Sequence, residues 1–332
     1  MHPAIKGLHH DHIDGSSALA DVIEDLYRLA GKEFPFPSLD AWRAFFKDPY
    51  EDIVRRFSTV TSVMQTTSAL TAAGYAYGRA RAREGYGYVE ARFAPQYHVF
   101  GGLSLAEAAA AMRDGLMTAE SQFGIRIMPI LCIGREADPE TGVEIARIAL
   151  EYDGEVALDL ACDEASHPPE KHLPAFALTF GSRVRRTCHA GEWVARGPEA
   201  TYRARLLENV RTAVRVLKCH GVGHAIPLPD DPDLVREIAA KGVRVEGCPL
   251  SNLTCGAIKD VRELRIDELL DRGVLYTLNA DDDLFLPTMD RVVEACDAAY
   301  GFTAAQKAAL EANVFRAAFA ADTRAAAKDP AP

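Results

Sequence analysis

Residues 8–17 read LHHDHIDGSS, a stretch that carries His9, His10, Asp11, His12 and Asp14. In an extended strand, side chains two apart share a face, so His10 and His12 point one way while His9 and Asp11 point the other. Two imidazoles on one rigid strand supply two nitrogen ligands. A third histidine and a carboxylate, with one position left open for water, would make a catalytic zinc site. Taken alone, a His-x-His pair is more often exposed or hydrogen-bonded than metal-binding. Further along, however, Asp163 and Glu164, His189 and Glu192, His224, Ser251 and Asn252, and Asp281-Asp282-Asp283 each fall at the end of a short β-type run. His10, His12, His189 and Asp281 fit the ligand count. The three adjacent aspartates repel one another unless a cation or proton is shared; the plainer reading is a solvated acidic turn capping the next helix. Glu192, three residues after His189, is placed to reach a substrate beside the metal, or is simply an acid in a first helical turn. His224 lies in GVGHA, where Gly223 and Ala225 leave room for a ligand close to backbone; its alternative is a histidine satisfied within the core.

These residues need a scaffold that brings them to one end. Short β-type runs recur at 4–12, 86–95, 126–135, 155–164, 183–192, 220–226, 243–252 and 274–283. Between them lie segments rich in Ala, Leu, Glu and Arg at 103–123, 138–151, 168–180, 197–218, 228–241 and 259–271, patterned to bury one side of a helix. Strands alternating with helices imply parallel pairing, and eight such units predict an α/β fold, a (β/α)8 TIM barrel, whose functional residues sit at the C-terminal ends of its strands. Residues 16–85 exceed one crossover helix, and DIVRRFSTVTSVMQTTSAL within them is amphipathic. We expect extra helices here, inserted after the first strand, either as a lid over one end of the barrel or as an added outer layer. The fifth run is the weakest strand, because SRVRRT is charged where buried alternation is expected. No internal repeat or linker divides the chain, so residues 1–332 are expected to form one domain, with a frayed tail at RAAAKDPAP.

The composition narrows the function classes. A chain of 332 residues that is 48% hydrophobic and 26% charged can bury a sizeable core. A formal charge of −11 argues against nucleic acid as a partner. The N-terminus has no charged region followed by an apolar run, and no stretch approaches the roughly 20 apolar residues of a membrane helix, so a cytoplasmic location without membrane association is expected. Seven scattered cysteines without a C-x-x-C pair read as reduced, mostly buried residues. H-E-x-x-H, the phosphate-binding loop, G-x-S-x-G and G-x-G-x-x-G are absent, and so are the H-x-E and P-C-x-x-C signatures of the small-fold zinc deaminases.

In order, HDHIDGS, YVEARFAP, LDLACDE, HAGE, GHA, CPLSN and LNADD resemble the adenosine deaminase family of TIM-barrel metal-dependent hydrolases, from residue 8 to about 285. The resemblance implies one zinc ion per chain, held by His10, His12, His189 and Asp281, with His12 also lining the substrate pocket and Asp281 also touching the bound water. It makes Glu192 the acid that protonates purine N1, His224 the residue that orients and helps deprotonate the water, Asp282 the contact to N7, and Asp14 the partner of the ribose 5′-hydroxyl. The implied reaction converts adenosine or 2′-deoxyadenosine to the 6-oxo nucleoside and ammonia. Zinc lowers the pKa of bound water from 15.7 to about 7, and a buried Glu192 would be kept protonated for its role.

Three positions depart from the family pattern. Cys162 replaces the glycine whose backbone N–H approaches purine N3, Ala225 replaces a glycine, and Asp283 replaces a proline. None is a proposed metal ligand, so they bear on the substrate more than on the reaction. Asp14 favours a neutral nucleoside over free adenine or aminodeoxyfutalosine, whose deaminases tend to carry Glu there, and it would repel the phosphate of AMP. The competing classes are a deaminase of another aminopurine, a mononuclear amidohydrolase of other substrates, and a catalytically silent nucleoside-binding protein; the intact set of ligands and acid speaks against the last.

Overall fold

A computed structural model describes residues 6–48, 52–193 and 199–320; the tail at 324–332 lies outside them. The chain enters through β1 (Gly7–His12), continues through helices α1 (Ile23–Leu29), α2 (Leu39–Lys47), α3 (Ile53–Thr61) and α4 (Thr67–Arg83), and returns as β2 (Tyr88–Phe93). Then follow α5 (Leu105–Phe123), β3 (Arg126–Gly134), α6 (Pro139–Glu151), β4 (Ala157–Ala161), α7 (Leu173–Leu178), β5 (His189–Ala190) and α8 (Glu199–Arg215). The last third holds β6 (Gly221–His224), α9 (Pro232–Lys241), β7 (Arg244–Gly247), α10 (Pro249–Thr254), α11 (Ile266–Asp271), β8 (Leu275–Leu278), α12 (Met289–Tyr300) and α13 (Ala304–Arg316). The architecture is the expected α/β barrel of eight parallel strands.

Its ladders form two half-sheets, β1 to β4 and β5 to β8. Two narrow seams join them. Leu158 N–H donates to the Arg185 carbonyl at 2.9 Å, and Thr187 N–H to the Leu158 carbonyl at 2.9 Å. At the other seam the Asn279 side-chain oxygen accepts both His9 N–H (2.8 Å) and His10 N–H (3.0 Å), and His12 N–H reaches the Asp281 carbonyl at 3.2 Å. A side chain thus stands in for the missing backbone ladder where β1 is irregular between Leu8 and Asp11.

The layer between β1 and β2 has two parts. The stretch at 52–70 is not one helix: α3 ends at Thr61, and Thr66 caps a new start by accepting Ala69 N–H at 3.2 Å. Helix α4 packs against α5 through small residues; a Cβ at Gly74 would stand 2.6 Å from the Met112 carbonyl oxygen. Helices α2 and α3 instead reach the loop after β8, where Phe285 stacks near Phe46 (ring centroids 6.0 Å apart) and Phe57 (4.8 Å), and Lys47 Nζ donates to the Leu286 carbonyl at 2.9 Å.

The fifth strand shrinks to two residues, because the charged SRVRRT that precedes it is used otherwise. Arg186 there donates to the carbonyls of Thr179 (3.0 Å) and Lys218 (3.1 Å). The seventh strand stops at Gly247 rather than 252: Pro249 has no N–H for a ladder and opens α10, so Ser251 and Asn252 lie on a helix. Inside the barrel, part of the interior is charged. Glu90, Arg92, Asp159, Arg244 and Glu246 are fully buried. Arg92 donates to Asp159 (2.9 Å) and Glu246 (2.8 Å), while Arg244 pairs with Glu246 (2.7 Å) and Glu90 and lies over the Phe319 ring.

Candidate active site

The alternation along β1 separates its four polar residues by face. His9 turns outward to the helices, its Nε2–H donating to the Val314 carbonyl at 2.7 Å. Asp11 also faces outward, accepting from Tyr77 (2.6 Å) and Arg81 (2.7 Å). His10 and His12 face inward. The His10 Nδ1–H donates to Glu246 at 3.1 Å, which leaves the Nε2 lone pair aimed at Asp281 Oδ1, 3.3 Å away. His189, on β5, does the same with Asp159: Nδ1 lies 3.0 Å from the carboxylate, and Nε2 is turned to His12 Nε2 at 3.2 Å. His12 Nε2 is 3.4 Å from Asp281 Oδ1. One ligand atom from each of His10, His12, His189 and Asp281 therefore lies within 4.8 Å of the others. Close approach of the strands permits this: a Cβ at Gly223 would sit 2.8 Å from the His10 ring.

The donor set fits a divalent cation. His10 Nε2 is buried without a hydrogen-bond partner. Two imidazole nitrogens facing each other at 3.2 Å with a carboxylate beside them satisfy each other only through a shared cation or proton. Burial lowers the His189 pKa to about 4 and that of His12 well below its usual value, so both rings are neutral and ligand-competent at neutral pH. Burial pushes the Asp281 carboxyl up, but the surrounding imidazoles, His10 foremost, outweigh it and hold the group well below the usual carboxylate range. Three nitrogens and one oxygen are a zinc-type set.

His224, Glu192 and Ser251 border this cluster. His224 Nδ1 is fixed by Asn252 at 2.8 Å, leaving Nε2 buried and unpartnered, 3.6 Å from Glu192 Oε1 and 4.0 Å from Asp281 Oδ2. The Ser251 hydroxyl donates to Asp281 Oδ2 at 2.8 Å. Glu192 rides on a turn clamped by Glu164, which accepts Gly191 N–H (2.7 Å) and Glu192 N–H (2.9 Å). Burial raises the Glu192 pKa, opposed by His224 and reinforced by Asp281 and Glu164, although 28% of the side chain still lines open space. Cys162, His224, Ala225 and Asp281 all hold positive φ (78°, 60°, 51° and 71°) at the ends of β4, β6 and β8. Such backbone costs of order 1–3 kcal/mol per residue and concentrates where function requires it.

Asp14 is buried with its carboxylate 3.9 Å from His98 Nε2, and burial lifts its pKa to about 6. Asp282 packs on Gly15, where an added Cβ would lie 1.7 Å from Oδ1. Cys162 Sγ is 3.4 Å from the Tyr97 hydroxyl, and its carbonyl accepts Trp193 Nε1–H at 3.2 Å. Asp283 is not drawn into this cluster: it accepts Ser17 N–H and Oγ–H, both at 2.7 Å, and two bonds from Arg81 at 3.1 Å, on the outward side with Asp11. Sequence reasoning assigned no role to Asp159, Glu246, Arg92, Asn279 or Glu164. The available signal was a carboxylate inside an apolar run, as in VALDLA and VRVEG.

The profile described as Adenosine deaminase matches residues 5–328 of the chain. The adenosine deaminase of Mycobacterium bovis (strain BCG / Pasteur 1173P2) is 29% identical over 342 residues, covering 95% of this chain and 90% of that protein. Among solved structures, the adenine deaminase of Arthrobacter aurescens superposes with a TM-score of 0.81 at 26% identity, covering 98% of this chain and 96% of its own. An amidohydrolase of Burkholderia ambifaria with bound Zn superposes with a TM-score of 0.81 at 24% identity, covering 98% and 88%. Among the described residues no helix is long and apolar enough to cross a membrane.

Proposed function

The chain belongs to the adenosine deaminase family and is a hydrolytic deaminase, and from that premise we propose that it converts adenosine and 2′-deoxyadenosine to inosine and 2′-deoxyinosine with release of ammonia, using one zinc ion per chain. The observation that carries this reading is the placement of Glu192 and His224 beside the cluster of His10, His12, His189 and Asp281. In this reading the Nε2 atoms of the three histidines and Asp281 Oδ1 hold the cation. Zinc, when bound, supplies a Lewis acid that brings the pKa of water near 7. His224 Nε2, with Nδ1 committed to Asn252, accepts the proton that the attacking water loses. Asp281, anchored through Oδ2 by Ser251, keeps its other oxygen on the ligand side. Glu192, kept protonated by burial, donates to N1 as C6 becomes tetrahedral, a contribution of about 10²–10⁴ in rate. Asp282 contacts N7, and Asp14 accepts the 5′-hydroxyl and repels a 5′-phosphate. The α2 and α3 helices, seated on Phe285, serve as a cover over the mouth of the pocket.

A second reading, deamination of free adenine, has the 26% identity to the Arthrobacter enzyme in its favour, along with Cys162, whose side chain would narrow the N3 side of a bound purine's pocket. Ammonia release from adenosine, deoxyadenosine, adenine and AMP, offered side by side to zinc-loaded protein, tests both. Release from the two nucleosides supports the first reading, release from adenine alone the second, and silence on all four with zinc bound sinks both. Glu192→Gln should lower kcat about 10²–10⁴-fold with zinc content unchanged.

A further inference from the structure

Cys248 has no part in the scheme above, yet it lies against it. It follows β7 directly, is fully buried, and lies where one ligand atom from each of His10, His224, Cys248 and Asp281 falls within 4.8 Å of the others. This set shares two members with the first cluster, and their geometry decides how they divide. His10 has only Nε2 to offer, because Nδ1 is committed to Glu246, and that atom already serves the first set. Asp281 has two oxygens: Oδ1 lies toward His10 and His12, whereas Oδ2 lies on the side of Ser251 and His224. His224 Nε2 is a buried nitrogen without a hydrogen-bond partner, in a residue only 1% exposed.

We propose that Cys248 Sγ, His224 Nε2 and Asp281 Oδ2 form a second, inhibitory cation site beside the resident one, selective for soft divalent ions, with Asp281 bridging the two positions. One thiolate and one imidazole favour thiophilic metals over hard, oxygen-seeking ones. The Cys248 thiol gives its proton to solvent as the sulfur binds, so one dication enters and one proton leaves. Occupancy takes the His224 lone pair out of use as a proton acceptor, which predicts a loss of about 10²–10⁴-fold in turnover, the usual worth of a positioned proton-transfer group.

The proposal rests on the first cluster holding the resident zinc, and the test separates the two. Zinc-loaded protein is titrated with cadmium while zinc and cadmium per chain, the thiolate-to-cadmium absorption band and deaminase turnover are followed. The expected result is retained zinc, one added cadmium with a thiolate band, and inhibition. Cys248→Ser and Cys248→Ala should both abolish the band and the inhibition, each measured against its own cadmium-free turnover. Cys255→Ser, which removes the one exposed cysteine among those described, should change neither. An added cadmium that survives in both Cys248 variants, no added cadmium at all, or a one-for-one exchange of cadmium for zinc would each overturn the second site. Protein that cannot be loaded with zinc in the first place would overturn the ligand assignment instead. Binding and the thiolate band are read without turnover, so they hold whichever aminopurine is the substrate.

Discussion

Replacing Asp159 by Asn isolates what the charged barrel interior does for the proposed metal ligands. The carboxylate divides four donors between its oxygens: Oδ1 accepts from His189 Nδ1 at 3.3 Å and Leu160 N–H at 2.8 Å, Oδ2 from Arg92 Nη1 at 2.9 Å and the Cys132 thiol at 3.4 Å. An asparagine of the same shape offers one acceptor oxygen and turns an NH2 toward the remaining donors, so His189 and Arg92 cannot both be satisfied. If the oxygen stays with His189, Arg92 keeps only Glu246 and the His9 carbonyl and loses a charge-assisted bond worth about 1.5–3 kcal/mol. If it turns to Arg92, the His189 ring loses the partner that fixes its tautomer and orientation. Groups that orient ligands in this way typically carry 10–100-fold of metal affinity, or about 1.4–2.7 kcal/mol. The assay is zinc competition against a calibrated chelator at neutral pH, with thermal unfolding of the metal-free variant run beside it to separate site from stability. Zinc affinity in Asp159→Asn equal to that of the native chain would refute the idea that Arg92, Asp159 and Glu246 position the ligands.

The other predictions concern strain, the outward ion network and pH. Cys162→Gly should raise stability by up to about 1 kcal/mol in denaturant unfolding, because φ of +78° strains any L side chain; a loss of stability would mean that the Tyr97 contact outweighs the strain. Asp283→Ala takes one carboxylate from Arg81, which keeps Asp11 and Glu84, and should cost about 1.5–3 kcal/mol, and less in an Arg81→Met background; additive effects in that double-mutant cycle would deny the pairing. Burial lowers the His98 pKa to about 4 from 6.5, so the unfolded chain takes up the proton first. Its contribution is intact above pH 6.5 and is lost as pH falls toward 4, up to about 3 kcal/mol. Stability of His98→Asn, whose amide can still donate to the Met64 carbonyl, should fall less steeply over that window, and parallel curves would exclude His98 as a source of acid sensitivity.

The local rules of the chain were legible in its sequence. Alternation along residues 9–12 separated the inward from the outward histidines, and each of the eight β-type runs contains one strand. What local pattern could not reach was pairing over long separations. Asn279 fills the seam beside His9 from 270 positions away, and Arg81 meets Asp283 across 202. Asp283 therefore read as a change near the substrate, although it braces the outer face of β1. Asp159 and Glu246, carboxylates inside otherwise apolar runs, have no local reason to be there until both are seen around the Arg92 guanidinium. Pro249 was the visible stop signal in the seventh run, and the motif CPLSN obscured it.

The division of the barrel into two half-sheets gives the ligand cluster a mechanical meaning. His10 and His12 belong to one half, His189 and Asp281 to the other, and the backbone bonds that join the halves are few. An ion held by all four is a clasp across the seam that Asn279 stitches. Because such an ion binds the folded chain and not the unfolded one, it adds RT ln(1 + [L]/Kd) to stability. Chelation should therefore open the molecule along this line first, raising hydrogen exchange at the His9 and His10 amides before it is felt within either half-sheet.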